Sequence, residues 1–79
     1  MTKAELIKKY ESGEIRVLGY HVLSNTHSAT IVYIDHEAEK VFGYLGSEDN
    51  KNFFFVKYDG AGNFKVGNLR LNTGQFMRY

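Results

Sequence analysis

Histidine and carboxylate side chains carry this chain's capacity for metal binding or proton transfer, so their spacing is the first thing to weigh. The histidines are His21, His27 and His36. Their spacing matches no ligand motif, and the chain has no cysteine to supply a thiolate. His36 lies between Asp35 and Glu37 in a polar segment, where water competes for all three side chains. Glu37 and Glu39 flank one expected hairpin, but no nucleophile–base arrangement accompanies them. The sequence therefore predicts no metal site, no cofactor and no catalytic residue. A small hydrolase ranks last of three functional readings.

The segment Asp59-Gly60-Ala61-Gly62-Asn63 invites two sharper readings. A calcium loop needs oxygen ligands at alternate positions, glycine sixth and glutamate twelfth. Here the third position is Ala61, the sixth Phe64 and the twelfth Arg70. A phosphate-cradling loop needs more glycines and a following helix, whereas a strand pattern follows here. What remains is a hairpin turn, with positive φ expected at Gly60 or Gly62.

The stretch Lys51-Asn52-Phe53-Phe54-Phe55-Val56-Lys57-Tyr58 is the most aromatic. Alternation puts Phe53 and Phe55 on one face of a strand, where they can stack on bases while Lys51 and Lys57 meet phosphates. The segment resembles the RNA-recognition octapeptide at Lys51, Phe53, Phe55, Val56 and Tyr58. It departs at Asn52 and Phe54, where that family has glycine and a small residue. The family's second helix has no counterpart here. The resemblance implies a single-stranded nucleic-acid-binding domain using residues 51–58, which is the runner-up function.

The preceding strand adds Lys40, Phe42 and Tyr44 on one side and Val41, Gly43 and Leu45 on the other. Pairing the aromatic sides predicts a patch of Phe42, Tyr44, Phe53 and Phe55, edged by Lys40 and Lys57. Burying an unpaired ammonium is costly. The lysine side is therefore expected to face away from the helix, which should cover Val41, Leu45, Phe54 and Val56. Aromatics with a charged rim describe a protein–protein contact. The alternative is a sheet curled into a partial barrel around the same rings.

The elements that must position these residues are legible from periodicity. Thr2-Lys3-Ala4-Glu5 fits a capping box, Leu6, Ile7 and Tyr10 recur at helical spacing, and Gly13 is a stop. A helix over 3–12 follows. Strands are expected over 15–23, with Gly19 as a bulge, and over 29–34, 39–45, 52–58, 64–66, 69–71 and 76–79. Turns fall at 24–26, 35–38, 46–50, 59–63, 67–68 and 72–74. The fold class is α+β: one domain, 1–79, with a short N-terminal helix packed on a five- to six-stranded antiparallel meander.

Composition bounds the rest. A chain of 79 residues buries only roughly 60–65% of its unfolded surface. Disulfides cannot add stability and zinc through thiolates is excluded, while association with a partner or a second copy stays open. A net charge of +1 lacks the basic excess of a dedicated nucleic-acid binder. No apolar run suits a membrane span, and the polar N-terminus is unlike a signal peptide, so a cytoplasmic location is expected.

The opening Thr2-Lys3-Ala4-Glu5-Leu6-Ile7-Lys8-Lys9-Tyr10, with the Lys/Asn/Tyr-rich remainder, resembles in style the short orphan accessory proteins of phages and mobile elements. That resemblance implies a small protein that binds and modulates a host protein, such as a defence system. The leading expectation is a non-enzymatic protein-binding module or homodimer, contacting its partner through Lys40, Phe42, Tyr44, Phe53, Phe55 and Lys57.

Overall fold

The Thr2 side chain accepts a hydrogen bond from the Glu5 amide at 3.2 Å, and the Glu5 carboxylate accepts from the Thr2 amide at 3.3 Å. This reciprocal cap starts α1, Lys3–Glu11. Gly13, with φ of 81°, ends the run. The computed structural model describes residues 1–25, 27–47 and 49–78, with Met77 and Arg78 as backbone. Thr26, Glu48 and Tyr79, each part of an expected turn or strand, lie outside the described residues.

Among the described residues seven strands follow: β1 Gly19–Val22, β2 Ser28–Asp35, β3 Lys40–Ser47, β4 Asn50–Lys57, β5 Asn63–Val66, β6 Leu69–Asn72 and β7 Met77–Arg78. The class is α+β, and the first four strands form the expected antiparallel meander. The later strands do not extend it. The main sheet runs β4-β3-β2-β1-β7, while β5 and β6 form a separate hairpin. After β4 the chain leaves the sheet, crosses one face as that hairpin, and returns at the far edge beside β1.

Two local expectations need correction. The first strand begins at Gly19 rather than residue 15, because Ile15 and Val17 are spent packing under the helix. Gly19 is therefore a strand start. The bulge lies instead in β2, where register jumps from Ile31↔Gly43 to Tyr33↔Phe42. The extra residue sends both Val32 and Tyr33 to the helix side. Near this bulge, a β-carbon on Gly43 would run into the Thr30 carbonyl oxygen. Only glycine fits there.

The sheet has a core on each face. On one side Leu6, Val32, Phe42 and Tyr44 are buried together, with Ile7, Tyr10, Phe53 and Phe55 packed around them. Leu6, fully buried, ties the helix down and contributes about 1.5–3 kcal/mol. On the other side Ala29, Ile31, Val41 and Phe54 meet Phe64 and Leu71 of the β5–β6 hairpin. Phe54 stacks on Phe64 at 6.0 Å between centroids, and Phe64 stacks on Phe76 at 6.1 Å. Both sheet faces are thus covered within one chain.

Candidate functional site

The expected aromatic patch does assemble. Phe42 pairs with Phe55 and Tyr44 with Phe53 across β3 and β4, and Phe42 stacks on Phe53 at 5.6 Å with the planes 5° apart. Its orientation is the reverse of that expected. The helix lies on this patch, so Phe42 is 0% and Tyr44 4% exposed, while Phe53 and Phe55 are half-buried. Val41 and Phe54, assigned to the helix, face the β5–β6 hairpin instead.

The lysines explain the reversal. Lys40 Nζ sits 4.9 Å above the Phe55 ring, and Lys51 Nζ lies 5.9 Å from Tyr10 and 5.6 Å from Tyr44. Each ammonium reaches the rim over an aromatic face and is not buried, so lysines on this side incur no large desolvation cost. The Tyr10 hydroxyl donates to the Tyr44 hydroxyl at 3.5 Å beneath the helix. Burial, foremost, pushes the Tyr44 phenol above its ordinary range. Nucleic-acid stacking on Phe53 and Phe55 would compete with Tyr10, whose ring meets Phe53 edge-on at 5.9 Å.

The histidines are placed apart in their contacts. His21 packs edge-on against Phe76, His27 Nδ1 is 3.3 Å from the Ser24 hydroxyl, and His36 Nδ1 is 3.4 Å from the Tyr58 hydroxyl. Among the described residues no three His, Asp or Glu side chains cluster as metal ligands would. No helix among them is long and apolar enough to cross a membrane.

A different surface holds the concentrated charge. An open groove of about 710 Å³ runs between the end of β4 and the β5–β6 hairpin. Lys57, Lys65 and Arg70 line it, together with Tyr58, Asn63 and Asn72. The hairpin register sets Lys65 directly opposite Arg70, and the meander register sets Lys57 opposite Lys40. Among the described residues Lys57, Lys65 and Arg70 enter no ion pair; the pair present is Lys9–Glu14, at 3.4 Å, on the helix side.

The groove's carboxylate does not neutralise them. Asp59 Oδ1 accepts from the Ala61 and Asn63 amides, both at 2.9 Å, and Oδ2 from the Asn63 side chain at 3.5 Å. The Asn63 amide foremost, then that of Ala61, holds the carboxyl below its ordinary range. Its lone pairs are directed into its own loop, which suits a structural acid better than a base. Gly62 takes φ of 86° there, as one of the two glycines was expected to. The Asn72 side chain locks this loop to the hairpin, donating to Ala61 O at 3.0 Å and Asn63 Oδ1 at 2.7 Å. The groove floor is thereby fixed by hydrogen bonds.

Lys65 and Arg70 were not singled out from sequence, yet a signal existed. They flank Gly67-Asn68 at equal distances, so a two-residue turn must place them opposite each other. No protein-family model, curated protein or solved structure matches the chain.

Proposed function

We propose that this chain is a non-enzymatic protein-binding module whose contact surface is the cationic groove. The observation that carries this reading is that Lys57, Lys65 and Arg70 line one groove with no ion-pair partner among the described residues. Opposed like charges destabilise a ladder, so a ligand that neutralises them recovers that loss. An acidic protein surface fits three cations on a chain of net charge +1 better than a nucleic acid, which calls for a broader basic footprint. The stylistic resemblance to phage accessory proteins supports a host protein as that partner, with the chain acting by covering a surface on it. The aromatic patch contributes by holding α1 on the sheet, with Lys40 and Lys57 as its accessible rim.

The test compares wild type with the double charge reversal Lys65→Glu/Arg70→Glu. Partner captured by wild type from the native host should be lost by the variant at unchanged fold, judged by circular dichroism. The isolated pair should weaken moderately with salt, without the steep dependence of multiple phosphate contacts. Capture that survives the reversal overturns this reading.

A further inference from the structure

The strand β4 is the outermost of the main sheet, since β7 covers the β1 edge and no described strand covers β4. Its ladder phase shows which backbone groups face outward. The Tyr58 amide donates to the Glu39 carbonyl at 2.9 Å. Lys57 pairs with Lys40 and Val56 with Val41. Antiparallel ladders alternate hydrogen-bonded and non-hydrogen-bonded pairs. Val56 and Phe54 therefore turn their amides and carbonyls toward β3, while Lys57, Phe55 and Phe53 turn theirs to the open edge.

Such an edge is a template for another strand. Its charges decide which strand. The outward-bonding positions run Lys51, Phe53, Phe55, Lys57. Two copies of this chain paired antiparallel about Phe54 would set Lys51 against Lys57 twice over, and like charges directly opposite are destabilising. At its Lys57 end the edge adjoins the groove lined by Lys65 and Arg70, so it favours a strand that brings carboxylates to that end. Lys57 belongs both to this edge and to the cationic groove, so one acidic segment can engage the two together.

We infer that the β4 edge accepts an extended acidic segment of the partner as an added strand, hydrogen-bonded to the backbone of Phe53, Phe55 and Lys57. This rests on the reading of the partner as an acidic protein. It names the mode of binding: backbone bonds supply affinity, and Lys57 with the groove cations selects for charge.

The probe is a synthetic eight-residue peptide alternating valine and glutamate, added to the full chain and followed by amide hydrogen exchange in NMR spectra. The Phe53, Phe55 and Lys57 amides should slow by about tenfold or more on saturation. The same peptide N-methylated at every glutamate keeps the charge but has no donors toward the edge, since the residues opposite Phe55 and Lys57 are the ones that bond, and it should leave the three amides unprotected. Strand addition is overturned if the unmethylated peptide leaves them exchanging as in the free protein. If it does so but binds, and Lys65→Glu/Arg70→Glu abolishes that binding, the groove reading stands without the added strand. If the amides are protected and the double reversal changes nothing, strand addition stands and the groove reading fails. No binding of either peptide overturns both.

Discussion

Lys65 stands directly opposite Arg70 across the β5–β6 ladder, so two cations share one face of the hairpin, and both line the groove. The opposite face of the hairpin carries Phe64 and Leu71, each nearly fully buried against the sheet. The apolar face therefore fixes the register, and the register forces the cations together. Nothing in the packing requires both to be positive.

A trade between stability and binding follows. Lys65→Glu converts a repelling cross-strand pair into an attracting one and should stabilise the domain by about 0.2–1 kcal/mol. It should also weaken binding of an acidic partner. Urea unfolding and a binding titration on the same variant check both signs. A variant that loses stability, or that binds as well as wild type, contradicts the argument.

Phe42 and Phe55 are paired residues on one face, yet they should respond differently to truncation. Phe42 is fully buried between the helix and the sheet, so Phe42→Ala should cost about 3–5 kcal/mol and leave so small a domain largely unfolded. Phe55 is half-buried with Lys40 above its ring, and Phe55→Ala should cost clearly less. Thermal melts rank the two. Equal losses would mean that the rim is packed as tightly as the centre.

How far the sequence reveals this arrangement depends on the range of the interaction. The Thr2–Glu5 cap, the Gly62 turn and the Phe42–Phe55 alternation are local, and all three can be read from spacing. The face on which α1 docks is not local. It was inferred from the cost of burying lysine, but Lys40 and Lys51 reach the rim across aromatic rings, so that cost never arises. The departure of β5 and β6 from the meander is likewise invisible to periodicity, since a hairpin pairs within itself whichever sheet it sits beside. The β2 bulge escaped because Val32 and Tyr33 are both apolar, and apolar neighbours read as a strand buried on two faces.

Gly43 tests that bulge. Its missing side chain admits the Thr30 carbonyl oxygen, and Phe54 Cζ would lie 3.1 Å from an added β-carbon. Gly43→Ala must push β2 and β3 apart at the centre of the sheet. A loss of about 1–3 kcal/mol or more is expected from overpacking. Gly60→Ala, where a β-carbon meets nothing within 4 Å, is the matched control and should be nearly neutral. Chemical denaturation of the two variants checks the contrast.

The Asp59 carboxylate sets the acid limit of the groove. Its pKa is held below the ordinary 3.8 by the amides it accepts from. A carboxyl with a depressed folded-state pKa stabilises fully above its unfolded value, and that contribution is lost as pH falls through the folded value. Asp59→Ala should therefore lower Tm at neutral pH, and the gap from wild type should close as pH drops below 3.8 toward the depressed value. Asp59→Asn keeps an oxygen for the Ala61 and Asn63 amides but cannot titrate. Its Tm should lie between the two at pH 7 and lack this contribution to the acid dependence. The loop also anchors Asn72 through Ala61 and Asn63, so Asp59→Ala should loosen the hairpin that presents Lys65 and Arg70 and weaken partner binding at neutral pH. Melting curves from pH 2 to 7, paired with binding at pH 7, separate the effects. A gap in Tm that stays constant with pH would show that the carboxylate's charge plays no part.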